Sequence, residues 1–122
     1  MKKLILLLLF MSTELYSRGR ATLMFDGPVT IGQIIETKGF TLAGHNHVAI
    51  QFLYPAGITS GTCNMEVSND NKNWVVVTGS SVTLSSGNDI IQKANLGTQY
   101  VRSSCVNSGG VISNFKIYIG AK

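Results

Sequence analysis

Cys63-Asn-Met-Glu-Val-Ser-Asn-Asp-Asn-Lys-Asn-Trp-Val-Val-Val-Thr78 spells a strand, a polar turn and a second strand within sixteen residues. Cys63, Met65 and Val67 alternate with Asn64, Glu66 and Ser68, the period of two expected where one face of a strand is buried and the other is wet. Asn69 to Asn73 are five polar residues whose side chains bond their own backbone and tolerate left-handed φ. Trp74 then restarts an apolar run through Val77. The stretch is a hairpin and contains no reactive group, which points to a β-rich binding or structural module.

Working outward, apolar segments recur at short intervals. They cover Thr22 to Phe25, Val29 to Ile35, Phe40 to Ala43, Val48 to Tyr54, Ser81 to Leu84, Ile90 to Leu96, Tyr100 to Cys105 and Ile112 to Ile119. Between them stand Asp26-Gly27-Pro28, Lys38-Gly39, Pro55-Ala56-Gly57, Ser86-Gly87-Asn88 and Ser108-Gly109-Gly110. Breakers spaced by about 8–12 residues are the pattern of a sandwich or barrel. The expectation is an all-β, antiparallel two-sheet β-sandwich with about 8 strands. Strand alternation is clearest in Val48 to Tyr54 and in Ile112 to Ile119, where Phe115, Ile117 and Ile119 share one face.

The chain has 122 residues, 44% hydrophobic, 13% charged, with 13 glycines. That composition suits one domain of short strands over residues 21–122. Its formal charge of +4 is dispersed without an internal cluster, so it describes a solvated basic surface and not a nucleic-acid footprint. The first 20 residues read differently: Lys2-Lys3, the apolar run Leu4 to Met11, then Ser12-Thr13-Glu14. Eight apolar residues reach only about 12 Å as a helix against a hydrocarbon layer of roughly 30 Å, so no stable membrane span is expected. The segment is either a signal-peptide-like leader or an N-terminal arm retained for assembly.

The two cysteines, Cys63 and Cys105, both fall in phase with inward-facing neighbours. A bridge closing this loop of about 42 residues in an exported chain stabilises by roughly 4 kcal/mol. Two buried thiols in a reducing compartment fit the same pattern.

Candidate chemistry is sparse. Gly57-Ile-Thr-Ser-Gly61 places its serine one position away from the Gly-x-Ser-x-Gly spacing, and no strand-to-helix turn is expected there. Asp26, Glu36, Glu66, Asp70 and Asp89 are dispersed, so no carboxylate pair suggests acid–base work, and neither an enzyme nor a cofactor is expected. His45-Asn46-His47 supplies half of a metal site, attractive where a symmetric assembly multiplies ligands and otherwise a plain loop. Trp74, Tyr54 and Tyr100 are candidate platforms for a sugar face, with Trp74 alternatively closing the end of the core. Arg102 is a candidate ion pair or partner contact.

The order Glu66-Val-Ser-Asn-Asp-Asn-Lys-Asn-Trp74, then Tyr100-Val-Arg102, then Gly109-Gly110 and the final strand resembles small β-sandwich modules of bacteriophage virion proteins. Those modules carry a Ser-Asn-Asp-Gly-x-x-Trp hairpin before a Tyr-Val-Arg strand. More distantly, the order is similar to that of discoidin-like carbohydrate-binding modules, and the resemblance implies a two-sheet β-sandwich of jelly-roll or discoidin-like type. The resemblance covers roughly residues 60 to 122, and Asn71 stands where the pattern has glycine, a place asparagine fills by adopting left-handed φ. It implies a virion structural or attachment module forming a homo-oligomer or packing on other virion subunits, with a cell-surface glycan as a further partner. The alternative is a secreted or periplasmic bacterial adhesion or carbohydrate-binding module.

Overall fold

The computed structural model describes residues 21–55, 61–85, 87–109 and 111–122. The leader and the Gly57 to Ser60 part of the glycine–serine run lie outside the described residues. Ten strands appear in chain order: β1 (Ala21–Val29), β2 (Ile34–Glu36), β3 (Phe40–Thr41), β4 (His47–Leu53), β5 (Gly61–Ser68), β6 (Val75–Val76), β7 (Val82–Thr83), β8 (Asn88–Ala94), β9 (Tyr100–Asn107) and β10 (Ile112–Ala121). Every pairing is antiparallel. No helix long and apolar enough to cross a membrane occurs among the described residues.

The first sheet runs β1-β10-β4-β8 and the second β2-β9-β5-β6, with β3 also on β9 and β7 also on β5. Both edges of the second sheet are therefore interrupted strands: β2 and β3 occupy one flank of β9, and β6 and β7 one flank of β5. Counting each broken edge once gives eight positions ordered 1-8-3-6 and 2-7-4-5, the connectivity of a jelly roll. The ten strands and the expected eight reconcile at these two breaks.

Each break is bridged by a buried hydroxyl. At the first, Ser103 N–H donates to Thr37 Oγ1 at 3.0 Å, while Thr37 N–H donates to the Ser103 carbonyl at 3.0 Å. At the second, Met65 N–H donates to Ser80 Oγ at 3.0 Å, and Val77 N–H donates to the Met65 carbonyl at 2.8 Å. An unpaired buried N–H is costly, so a side-chain oxygen that replaces the missing backbone acceptor lets the edge bend without leaving an orphan.

One expected break lies elsewhere. Asp26-Gly27-Pro28 is inside β1, whose register shifts between Leu23 and Phe25 and again between Gly27 and Val29. β1 is an edge strand, where a proline's missing N–H does no harm and bulges are common. The chain turns instead at Thr30 to Gln33, where Gln33 Oε1 accepts from Thr30 N–H at 2.9 Å and Gly32 adopts φ 77°.

Between the sheets, β4 contributes Val48, Ile50 and Phe52, and β10 contributes Phe115, Ile117 and Ile119; the second sheet answers with Cys63, Met65, Val101 and Cys105, all buried. Phe115 is the hub, with the rings of Phe25, Phe52 and Tyr54 centred 6.0–6.2 Å away. Cys63 and Cys105 are directly opposite in the β5–β9 register and form a disulfide. Its Cα–Cα distance of 4.0 Å ties neighbouring strands of one sheet, not the two sheets to each other.

Replacing Ser80 by alanine or Thr37 by valine strands a buried amide without its acceptor. Each change is expected to cost about 1–3 kcal/mol in urea unfolding, whereas the same removal of a hydroxyl at exposed Thr41 changes little.

Candidate functional site

The polar turn between β5 and β6 is built by two side chains. Ser68 Oγ accepts from the N–H groups of Asp70 and Asn71 at 3.2 and 2.9 Å. Asp70 Oδ1 accepts from the N–H groups of Lys72 and Asn73 at 2.9 and 2.8 Å, and its Oδ2 takes Asn73 Nδ2 at 2.6 Å. Four consecutive amides thus find acceptors without water or metal, and Asn71 takes φ 60° as the turn closes. The Asn73 and Lys72 amides, then the Asn73 and Ser68 side chains, stabilise the charged form of Asp70 and hold its carboxyl well below the usual carboxylate range.

From this turn Trp74 leads onto the outer face of the second sheet. It does not close the core as one sequence reading had it: its ring is half-buried beneath Arg102, whose guanidinium carbon stands 4.5 Å from the ring centroid. Arg102 Nε donates to Glu66 Oε1 at 2.7 Å, and Nη2 donates to Glu36 Oε2 at 2.6 Å. Glu66 faces Arg102 directly across β5 and β9, while Glu36 arrives from β2 on the other flank. Gly39 permits the turn to close over this edge, because a Cβ there would collide with the Asn71 side chain and lie 3.2 Å from the Trp74 ring.

The sequence candidates separate in the fold. Tyr100 shares the outer face with Arg102, two residues along β9, and is half-buried. Tyr54 is not on a surface: it is 7% exposed, packs edge-on against Phe115, and its hydroxyl donates to Asp89 Oδ2 at 2.6 Å. A ring in that position has no open face to offer a sugar. His45 lies in the turn after β3, with its N–H bonded to the Leu42 carbonyl, whereas His47 begins β4 and exchanges backbone hydrogen bonds with Lys122. The two histidines are thus not adjacent on one strand, and among the described residues no three His, Cys, Asp or Glu side chains group to hold a metal.

A shallow depression of about 580 Å³ opens on the first sheet, lined by Ala21, Ala49 and Gly120 with His47, Gln92 and Lys122. Its polar groups can donate hydrogen bonds, but it brings together no nucleophile–base pair.

Sequence reasoning missed Glu66, Glu36 and Gly39 as members of the Arg102 cluster. One signal for Glu66 was present. If Cys63 and Cys105 are cross-strand neighbours, three steps from each in opposite directions bring Glu66 opposite Arg102. Glu36 carried no such signal, because its place depends on which strand flanks β9.

No family model matches this chain, and no curated protein matches it in sequence. Solved structures do match in fold. The PBSX exported protein XepA superposes with a TM-score of 0.66 at 19% identity, over 84% of this chain and 36% of XepA. The SPBc2 prophage-derived protein YomS superposes with a TM-score of 0.53 at 13% identity, over 83% of this chain and 96% of YomS. This chain therefore spans about a third of XepA and nearly all of YomS, and at these identities what they share is the fold.

Two outcomes follow from the site. Arg102→Met leaves the mostly buried Glu66 carboxylate unpaired and is expected to cost about 2 kcal/mol, whereas Glu36→Gln, at a half-exposed carboxylate, costs under about 1 kcal/mol; denaturant midpoints separate the two. Asp70 has a folded pKa below its unfolded one, so its stabilisation is present above the usual carboxylate pKa of about 4 and is lost as pH falls below that value. Asp70→Asn keeps an acceptor in the turn but does not titrate, so its unfolding midpoint should fall less than the parent's between neutral pH and about pH 3.

Proposed function

We propose that this chain is a non-catalytic structural or attachment module of a bacteriophage particle, acting through packing against neighbouring subunits. The observation that carries this reading is the shared fold: it extends over more than four-fifths of the chain in common with the PBSX exported protein XepA and the SPBc2 prophage-derived protein YomS. The candidate side chains Trp74 and Arg102 support it. With Ser68 and Asp70 they are engaged with one another, with Glu66 or with backbone, so they serve the scaffold. In this reading residues 21–122 form one module and residues 1–20 are an assembly arm or a leader. Partners are further copies or other virion subunits, with a surface glycan as a contact of an attachment role.

The alternative, an exported adhesion or carbohydrate-binding module outside the particle, draws on one observation. The Cys63–Cys105 disulfide suits an oxidising compartment. Density-gradient sedimentation of particles from the producing culture distinguishes the two. The structural reading expects the chain to co-sediment with particles as a stoichiometric component. A chain found only in the particle-free medium, with a mature N-terminus after Ser17 or Gly19, overturns that reading in favour of export.

A further inference from the structure

Three of the four sheet edges are interrupted. β1 carries Pro28 and two register shifts, β2 and β3 share one flank of β9, and β6 and β7 share one flank of β5. β8 is different: it holds seven successive pairs with β4, from His47↔Ala94 to Leu53↔Asn88, and contains neither proline nor glycine. Among the described residues no strand pairs with its other side.

The ladder with β4 decides what that side presents. Asn95 N–H donates to the Asn46 carbonyl at 2.8 Å and Tyr54 N–H to the Gly87 carbonyl at 3.0 Å, and both pairs continue the β4–β8 register. Hydrogen-bonded pairs alternate in an antiparallel ladder, so Asp89, Ile91 and Lys93 bond to β4, while Ile90, Gln92 and Ala94 turn their N–H and C=O groups outward. Side chains alternate too. Asp89, Ile91 and Lys93 share the core side, with Ile91 buried, and Ile90 and Gln92 are exposed on the outer face. Asp89 Oδ2 accepts from the Tyr54 hydroxyl at 2.6 Å, which fixes the carboxylate at this edge.

We propose that β8 pairs antiparallel with β8 of a second copy across a two-fold axis at Ile91, joining two four-stranded sheets into one. The inference rests on the reading of the chain as an assembly module and names its first contact. With Ile91 opposite Ile91, the outward groups of Ile90 and Gln92 in each copy meet those of Gln92 and Ile90 in the other, and Asp89 falls opposite Lys93 on both sides of the axis. The next registers that keep outward groups together set Lys93 opposite Gly87 or opposite Ile91, without a carboxylate facing it. Inward-pointing charges on an edge strand ordinarily oppose pairing; these two match in one register and oppose its neighbours. A strand of other sequence fits only by repeating this order of charges, which β8 itself supplies. Ile90, 50% exposed, comes diagonal to its own copy on the outer face, so the contact buries apolar surface as well.

The test uses the full chain. Light scattering coupled to size exclusion at about 100 µM, above the micromolar Kd of a small interface, should give the parent twice the monomer mass. Gln92→Pro removes an outward N–H and no β4–β8 bond, and Lys93→Glu sets like charges opposite each other. Both should keep the parent's circular dichroism and run as monomers, with association weakened at least about tenfold. Quenched hydrogen exchange of the parent needs no variant: the Ile90 and Gln92 amides should exchange several-fold faster at about 1 µM than at about 100 µM. Should Gln92→Pro lose its fold, Lys93→Glu and the exchange measurement decide. A parent mass other than twice the monomer, a folded variant that dimerises as well as the parent, or exchange at Ile90 and Gln92 that ignores concentration each overturns the proposal. Particle co-sedimentation of the parent is read separately. A parent that dimerises through β8 but never enters particles overturns the structural reading and leaves this one standing, whereas a monomeric parent found in particles overturns this one alone.

Discussion

The antiparallel registration of β5 on β9 is the constraint from which most of the second sheet follows. Eight consecutive pairs run from Gly61↔Asn107 to Ser68↔Tyr100, and the disulfide sits among them at Cys63↔Cys105. A one-residue slip of β5 would turn Cys63 and Met65 from the core to solvent, and would pull Glu66 away from Arg102. The covalent link excludes that slip. It also holds in place the two central strands on which both broken edges hang, so Thr37 and Ser80 meet the amides of Ser103 and Met65 only in this register.

Above this frame, the hairpin turn is a self-contained polar structure laid over an ion-pair cluster. Ser68 and Asp70 satisfy the amides, Gly39 lets the turn approach, and Trp74 covers Arg102 as Arg102 reaches carboxylates on both sides. The energies are unequal. The pair with Glu66 is shielded and carries more weight than the shorter contact to Glu36, which water screens. A guanidinium held by two carboxylates and a ring is engaged in fixing the sheet's outer face.

By itself the sequence determined the fold class, because period-two alternation and closely spaced breakers leave few ways to bury Ile50, Phe52, Phe115 and Ile117 other than between two sheets. It also determined the turn at Asn69 to Asn73, since that chemistry is local, and the resemblance pointed to Asn71 as the left-handed residue within it. It was less informative about Asp26-Gly27-Pro28, where the tolerance of an edge strand overrode the breakers, and about Trp74 and Tyr54, both candidate platforms, of which Trp74 lies beside Arg102 on the outer face and Tyr54 is buried against Phe115. Whether an aromatic residue faces the core or the outer surface depends on strand register and on what covers it, and neither is local. Tertiary structure alone decided that Thr37 and Ser80 bridge broken edges and that Glu36 joins Glu66 around Arg102. Each of these depends on which strands become neighbours, and in a jelly roll those neighbours are mostly distant in sequence.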